Sequence, residues 1–457
     1  MNIARFLDRF FFRRISASGF GLMRIAWAAT ALIFLLFQWS DVGFFFSDAG
    51  IIPSDLFSVA FRGEYRFTLL DTYTTPVAVF GLYLLLLGVL ITTMIGYRTR
   101  FSTVVTALLL FSFHERNLLP LSGGDTVLRN LGFILMIAPE IRAFSLDRAW
   151  KQWKVWEETK ELLAPLTMPI WPWRLLLWQF IIIYIASGID KSTGTMWWDG
   201  TAVASALHHT HFARWPMRVM DIVSIASPVL CSATLVFEFG WLLMLVPESL
   251  AAELPQYMKR HAVRRSLLLG GVLFHGAIFI LMDVASFSVA MLSGYLGLLL
   301  TEDFTDLRKW INDPGKGKKA TFRQGSGQER QKGNIAVLYD AACHLCRRSM
   351  FVLLLCDHLH RLRAVNFRDA MLRKKYAPDI PLKDLDRSMH IKIQASSFSG
   401  FDAFRKIANH LPALWPLVPL LYIPGIPPLG RRIYRYIAEN RNRCADGYCV
   451  HEPHTNH

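Results

Sequence analysis

The chain has 457 residues, of which 53% are hydrophobic, 13% aromatic and only 19% charged, with a formal net charge of +15. A soluble protein of this length would divide into two or three domains with charge spread along them, whereas here the charge is concentrated at the N-terminus, in a few short loops and after residue 301. The sequence between them is lipid-soluble in character, so membrane lipid is the partner it implies and no nucleic-acid partner is assigned.

The N-terminal "MNIARFLDRFFFRR" is basic, but no small-residue cleavage site closes a short apolar core. The first apolar segment is therefore a retained span rather than a removed signal peptide. About twenty mostly apolar residues cross the ~30 Å hydrocarbon layer. Eight segments approach that length: 20–39, 76–96, 101–121, 126–144, 170–188, 219–246, 266–282 and 284–300. "HERN" and "GGD" interrupt the third and fourth, and only Asp283 and a tight turn separate the last two. The prediction over 1–312 is a multi-span α-helical membrane bundle of about eight spans. With the N-terminus inside, the inner segments carry fifteen Lys and Arg and the outer ones seven, which predicts that both termini are cytoplasmic.

On this topology Lys191, His114, Glu115, Arg116, Asn117, Asp125 and Asp283 fall near the outer end of the bundle, while Glu238 and His275 lie within spans. Ionisable groups at such depth face a bundle interior or a wet cavity. Each also has a plainer role: Lys191 as a snorkelling anchor, His275 as a hydrogen-bonding group between helices. Glu238 needs a partner or a proton. Together they predict a polar pocket under an aromatic lid, with His114, Asn117, Asp125, Trp198, Glu238 and His275 as candidate lining. The segment 189–216 is too polar to span and has the Trp-flanked character of an interfacial helix. His208, His209 and His211 within it point to different faces, so no metal site is assigned.

The stretch "SGIDKSTGTMWWDG" (187–200), Arg116-Asn117 with Gly123-Gly124-Asp125, and Phe274-His275 with Ser286-Phe287 resemble motifs of the HTTM family, bacterial relatives of the vitamin K-dependent gamma-carboxylase. The resemblance covers roughly residues 15–305 and implies a bacterial inner (plasma) membrane location. In the carboxylase the matching lysine is the base that deprotonates a reduced quinone, so by resemblance Lys191 takes that role, with a quinone or hydroquinone as the implied cofactor. An amine drawn out of water holds its proton less tightly, which suits a base. The chain does not continue into the carboxylase's large lumenal portion, so quinone or lipid chemistry is implied and glutamate carboxylation is not.

Residues 313–333 are rich in Gly, Lys, Gln and Ser and form a flexible linker whose cations suit anionic lipid. Within 334–457, residues 335–339 are a buried-strand pattern, 343–361 have helical character and 363–367 resemble a second strand. Cys343 and Cys346 thus open a helix that follows a strand. The positive helix end favours a thiolate at Cys343, with Arg347 and Arg348 adding to the potential. Cys346, one turn on, resolves a mixed disulfide. Two alternatives stay open: zinc held with Cys444, Cys449, His451 and His454, or an inert pair. The strand–loop–helix setting favours redox. Cys356 and Cys231 are core residues on this reading.

"LYDAACHLC" (338–346), "SMHIKI", "GFDAFRKIA" and "IPGIPPLGRRIYRYIAENRNRC" resemble the DCC family of thiol–disulfide oxidoreductase-like proteins over about 335–444. That implies a small α/β thioredoxin-like domain and a thiol or protein redox partner. Asp340 matches the motif aspartate, implied to tune or relay protons for the thiols; its plainer role is a helix cap. Ala341-Ala342 stand where the family commonly has glycine, and no proline precedes "SMHIKI", so thioredoxin-style peptide binding is not implied. The expected function is a membrane thiol–disulfide oxidoreductase linked to a quinone or other lipid-soluble substrate. Its rivals are a carboxylase-like enzyme at Lys191 with a docking DCC domain, and a non-enzymatic membrane assembly factor. On the predicted topology ~30 Å of bilayer separates Lys191 from the cysteine pair, so coupling requires a diffusing quinone or a different topology, and otherwise the two parts do separate jobs.

Overall fold

The structure, a computed structural model, describes residues 3–60, 68–159, 161–246, 259–312, 335–394, 396–440, 443–445 and 448–450. The chain divides into two compact units, one of 1–155 with 161–304 and one of 156–160 with 305–457. The linker expected over 313–333 lies outside the described residues.

The first unit is helical, apart from an antiparallel pairing of β1 (Arg14–Ser16) with β2 (Thr167–Pro169). Each of the eight apolar segments contains a helix, but only five helices among the described residues are long and apolar enough to cross a membrane: Ser18–Phe37, Pro76–Ile95, Trp171–Thr193, Ser227–Leu245 and Arg260–Leu281. The expectation of eight spans is therefore reduced to five membrane-length helices, and the sequence shows why. Thr99–Arg116 ends on His114-Glu115-Arg116. Gly123–Ile137 has 15 residues and Phe287–Gly297 only 11, about 22 and 16 Å at ~1.5 Å per residue. The segment expected over 219–246 breaks at Ile225-Ala226, between helices Met217–Ser224 and Ser227–Gly240. A sixth candidate, Pro412–Leu421 with Ile426–Glu439, is bent by 111° and lies in the second unit.

Helix ends follow local chemistry. Thr75 caps Pro76–Ile95 by accepting the Ala78 N–H, and Pro76 occupies the first turn where no amide partner is needed. Gly96 ends the helix at φ +73°, returning its N–H to Thr92 O at 2.9 Å. Its Cα packs so tightly on Ser145 and the Arg24 guanidinium that a Cβ would collide with Ser145. Arg24, fully buried, donates Nε to Ile141 O (3.1 Å), Nη1 to Met94 O (3.1 Å) and Thr93 O, and Nη2 to Ala143 O (3.2 Å) and Phe144 O (3.1 Å). One guanidinium thus satisfies carbonyls at the end of one helix and in the loop after another, a buried charge stabilised by backbone dipoles.

In the second unit β3 (Ile335–Tyr339), β4 (Leu362–Asn366), β5 (His390–Ile393) and β6 (Ser396–Ser399) form one mixed sheet of order β4-β3-β5-β6. β3 and β4 are parallel, with Tyr339 opposite Asn366; β5 runs antiparallel to β3 and to β6. All five residues of β3 are buried, as a central strand with both faces covered requires. The helix between β3 and β4 is His344–Cys356, shorter than the 343–361 expected. Asp357 stops it: its carboxylate accepts the N–H groups of Arg361 (2.8 Å) and Leu362 (2.7 Å), turning the chain into β4. β7 (Arg443–Ala445) and β8 (Tyr448–Val450) pair antiparallel, with Cys444 opposite Cys449 in register.

Candidate functional site

The thiol site forms where parallel strands β3 and β4 end side by side. Asp340 follows β3 and is 1% exposed. Its carbonyl accepts the Cys343 N–H (3.3 Å) and its Oδ1 the Ala342 N–H (2.9 Å), while Asn366 Oδ1 accepts the N–H groups of Ala341 (3.3 Å) and Arg368 (3.2 Å). Every amide of the Ala341–Cys343 loop is satisfied, so the two alanines are held without glycine. Cys343 is the N-cap of the helix, and its Sγ accepts the Cys346 N–H at 3.3 Å. Helix-end amides facing a sulfur favour its thiolate form.

Asp340 is not that helix's cap. Its carboxylate takes Arg368 Nη2 at 2.9 Å and Nε at 3.2 Å, and Arg368 Nη2 also reaches Asp386 Oδ1 at 2.7 Å. The Asp340 hydrogen bonds push the Arg368 guanidinium above its usual range, and Asp386 and Cys346 add to this. Arg368 is therefore a cation held between two carboxylates just past β4. Exposure runs opposite to the roles expected from sequence: Cys343 is fully buried and Cys346 half-buried. The Cys356 thiol is pushed up by burial and then by Asp357, the opposite of activation. Among the described residues no group of three metal-type ligands gathers. The side chains of Cys444 and Cys449, and His451 and His454, lie outside them.

In the first unit Lys191 lies inside the Trp171–Thr193 helix, which continues past Ser187-Gly188 rather than ending there. Lys191 Nζ is 2.7 Å from Glu238 Oε1, and it also donates to Ser187 Oγ one turn back. Ser187 Oγ donates to Glu238 Oε1 at 3.1 Å. Gly188 faces the Glu238 helix, where a Cβ would be at ordinary contact distance from Glu238 Cβ (3.5 Å) and slightly tight against the Phe239 ring (3.3 Å). Glu238 is 2% exposed, and the ammonium supplies the partner its depth demands.

His275, 1% exposed, hydrogen-bonds Tyr184 OH through Nε2 at 2.7 Å, and Tyr184 OH also meets Tyr295 OH. Trp241 stacks on Tyr184 with centroids 5.0 Å apart. Buried Nδ1 of His275, Nε1 of Trp241 and Oε2 of Glu238 have no hydrogen-bond partner among the described residues.

The other candidates fall elsewhere. Asp125 caps its own helix, accepting the Ser122 N–H at 2.7 Å. His114 Nε2 lies 4.0 Å from it, beside a void of about 20 Å³, room for one water and no organic ligand. Asn117 is a brace, donating to Phe45 O (2.8 Å) and accepting the Leu119 N–H (2.9 Å). Trp198 is 71% exposed with its indole on Ser192 O; its neighbour Trp197 is the ring near Lys191, 5.4 Å from Nζ. His208 Nε2 pairs with Asp221 at 2.8 Å. Sequence reasoning missed Ser187, Tyr184, Tyr295 and Trp197 in the bundle, and Asn366, Arg368 and Asp386 at the thiols. For Arg368 a signal existed: a charge just past a strand that parallels β3 is placed to meet a buried motif aspartate.

Residues 337–446 match the DCC1-like thiol-disulfide oxidoreductase family. The C-terminal part of this chain is a DCC1-like thiol-disulfide oxidoreductase domain. The sporulation-delaying protein SdpB of Bacillus subtilis (strain 168) is 21% identical over 281 residues, 61% of this chain and 79% of SdpB. That length exceeds the whole of 334–457, so part of it falls on the apolar portion. No solved structure matches the chain.

Proposed function

We propose that the chain is an integral membrane oxidoreductase in which the Cys343–Cys346 pair of a thioredoxin-like domain exchanges disulfides with a thiol or protein partner. One observation carries this reading: Cys343 Sγ caps the helix after β3 and accepts the Cys346 N–H, within the matched segment 337–446. The sheet order β4-β3-β5-β6, a parallel βαβ unit joined to a hairpin, supports the thioredoxin-like assignment. The membrane-length helices support a membrane setting, while the Lys and Arg tally that put both termini in the cytoplasm assumed an even number of spans and does not carry over to five. The test is to equilibrate the full chain in nanodiscs with glutathione buffers and follow the Cys343–Cys346 disulfide by mass. A reversible two-electron transition is expected; a pair that never oxidises, or that holds stoichiometric zinc, overturns the proposal.

A second reading places quinone or lipid chemistry at Lys191. It is favoured by the Lys191–Glu238 pair, by the buried Tyr184–His275–Tyr295 chain, and by an apolar groove of about 420 Å³ that Tyr295 lines with Thr30, Leu268, Val272 and Leu292. Its test is consumption of a short-chain hydroquinone by the chain in nanodiscs: loss in Lys191→Ala with retention in Cys343→Ser favours bundle chemistry, and the reverse pattern of losses in disulfide exchange favours the thiols.

A further inference from the structure

The second unit carries an apolar surface that its own core does not use. From Pro412 to Asn440 no residue is buried, yet Pro412–Leu421 and Ile426–Glu439 together are apolar enough to count as one more membrane span. Trp415, Leu417 and Leu420 are exposed on the first arm, and Leu429, Ile433 and Tyr436 on the second. Exposed apolar surface of this kind marks an interaction site. The second arm is fixed from its other side. Tyr434 OH accepts the Met389 N–H at 2.9 Å, Arg431 Nη1 pairs with Asp402 Oδ2 at 3.0 Å, and Gly430 lies so close to the Phe401 ring that a Cβ would collide. That attachment and the 111° bend between the arms keep the element from crossing ~30 Å of hydrocarbon.

Charge says what covers the surface. Leu429, Ile433 and Tyr436 recur at the spacing of one helix face. Arg432 and Arg435, also exposed, lie on the side of the helix next to it, and neither has an ion pair among the described residues. Residues 412–440 hold three arginines against one carboxylate, Glu439. An apolar face with Trp and Tyr, bordered by arginines, suits a helix lying in the plane of a bilayer surface whose headgroups are anionic. The five membrane-length helices of the same chain already bring it to a bilayer. We propose that Pro412–Glu439 is an in-plane membrane-docking element, its apolar residues among the acyl chains of the nearer leaflet and Arg432 and Arg435 among anionic lipid headgroups. The thiol domain is thereby held at the bilayer surface by a second attachment besides the chain itself. This does not depend on the chemistry of the cysteines.

The experiment uses the full chain in nanodiscs of phosphatidylcholine and phosphatidylglycerol, with a phospholipid that carries a photoactivatable diazirine in its acyl chain. Adducts are located by peptide mass. They are expected in 412–437 as well as in the five membrane-length helices, which serve as the internal control. Leu420→Glu with Ile433→Glu, both at exposed positions, is expected to lower the adducts in 412–437 several-fold and leave those in the bundle unchanged. Arg432→Gln with Arg435→Gln, or nanodiscs of phosphatidylcholine alone, is expected to lower them several-fold too, as is added salt in the anionic nanodiscs. Labelled bundle helices without adducts in 412–437 overturn the proposal, and protection of that segment from hydrogen exchange without adducts assigns the surface to a protein instead. Equal labelling in neutral and anionic nanodiscs overturns the anionic-lipid assignment. None of these outcomes bears on disulfide exchange, which is read separately.

Discussion

Lys191 Nζ and Glu238 Oε1 are 2.7 Å apart, with the lysine side chain 23% and the glutamate 3% exposed. The lysine is thus less an anchor reaching for the interface than the counter-charge of a carboxylate that cannot reach water. Removing one partner of a buried pair costs about 3–5 kcal/mol, and removing both can be nearly neutral. Because Lys191 keeps some solvent, Lys191→Ala is expected near the lower end of that range. The double variant Lys191→Ala, Glu238→Gln is expected to recover most of the loss. Unfolding by denaturing detergent, followed by helix content, measures both; a double variant as unstable as the single one counts against the pairing.

Arg24 offers a larger effect. Arg24→Met fills the space but leaves the carbonyls of Thr93, Met94, Ile141, Ala143 and Phe144 without their donor. Each orphaned buried group costs about 1–3 kcal/mol, so a loss of at least about 3 kcal/mol is expected in the same assay. A substitution indistinguishable from wild type shows that these carbonyls have another source of hydrogen bonds.

Asp402 gives the pH prediction. Burial opposes its charge, but hydrogen bonds from Arg431 and Arg405 outweigh burial and hold the carboxyl below its usual range. The pair Asp402–Arg431, at 3.0 Å, ties helix Gly400–His410 to Ile426–Glu439. A carboxylate lowered on folding adds stability above its unfolded value and loses it as pH falls through the folded one. The stability gap between wild type and Asp402→Asn is therefore expected to be full at neutral pH and to close below about pH 4. Chemical denaturation of the full chain at both pH values checks it, and a gap that widens in acid refutes it.

Cys356 supplies an internal control for the thiol site. With its thiol pushed up by burial and Asp357, iodoacetamide at pH 8 is expected to modify it several-fold more slowly than free cysteine. Equal rates, read by peptide mapping, contradict the placement.

The apolar run 335–339 and the cysteines behind it were legible because a buried strand and a helix start each leave a local signature. The apolar segment 76–96 likewise matched a helix, Pro76–Ile95, whose ends are set by local backbone preferences. What stayed hidden depends on contacts between distant segments. The helix bearing Lys191 runs on past Ser187-Gly188 to Thr193, and there Lys191 meets Glu238 from another helix. The choice between Trp197 and Trp198 is one of phase, since adjacent helical residues point to different sides. Glu238 announced that it needed a partner without naming it. Asp340 carried both a cap and a tuning role in the sequence, and only the arrival of Arg368 from the next parallel strand separates them. Eight membrane-length helices are not found among the described residues for a simpler reason: composition averages over a window and overlooks where a helix ends, as at Ile137 within the segment 126–144.

Tyr184 has one hydroxyl hydrogen and two hydrogen-bonded neighbours, His275 and Tyr295. Keeping that hydrogen paired within the row means donating to one and accepting from the other, so the row has two fully paired polarities. If Tyr184 donates to His275 Nε2, then Tyr295 donates to Tyr184 and the imidazole hydrogen sits on Nδ1. If the imidazole hydrogen moves to Nε2, both hydroxyls reverse. A change of tautomer at one ring would thereby flip the dipoles on the Trp171–Thr193 and Phe287–Gly297 helices together, with no heavy atom having to travel.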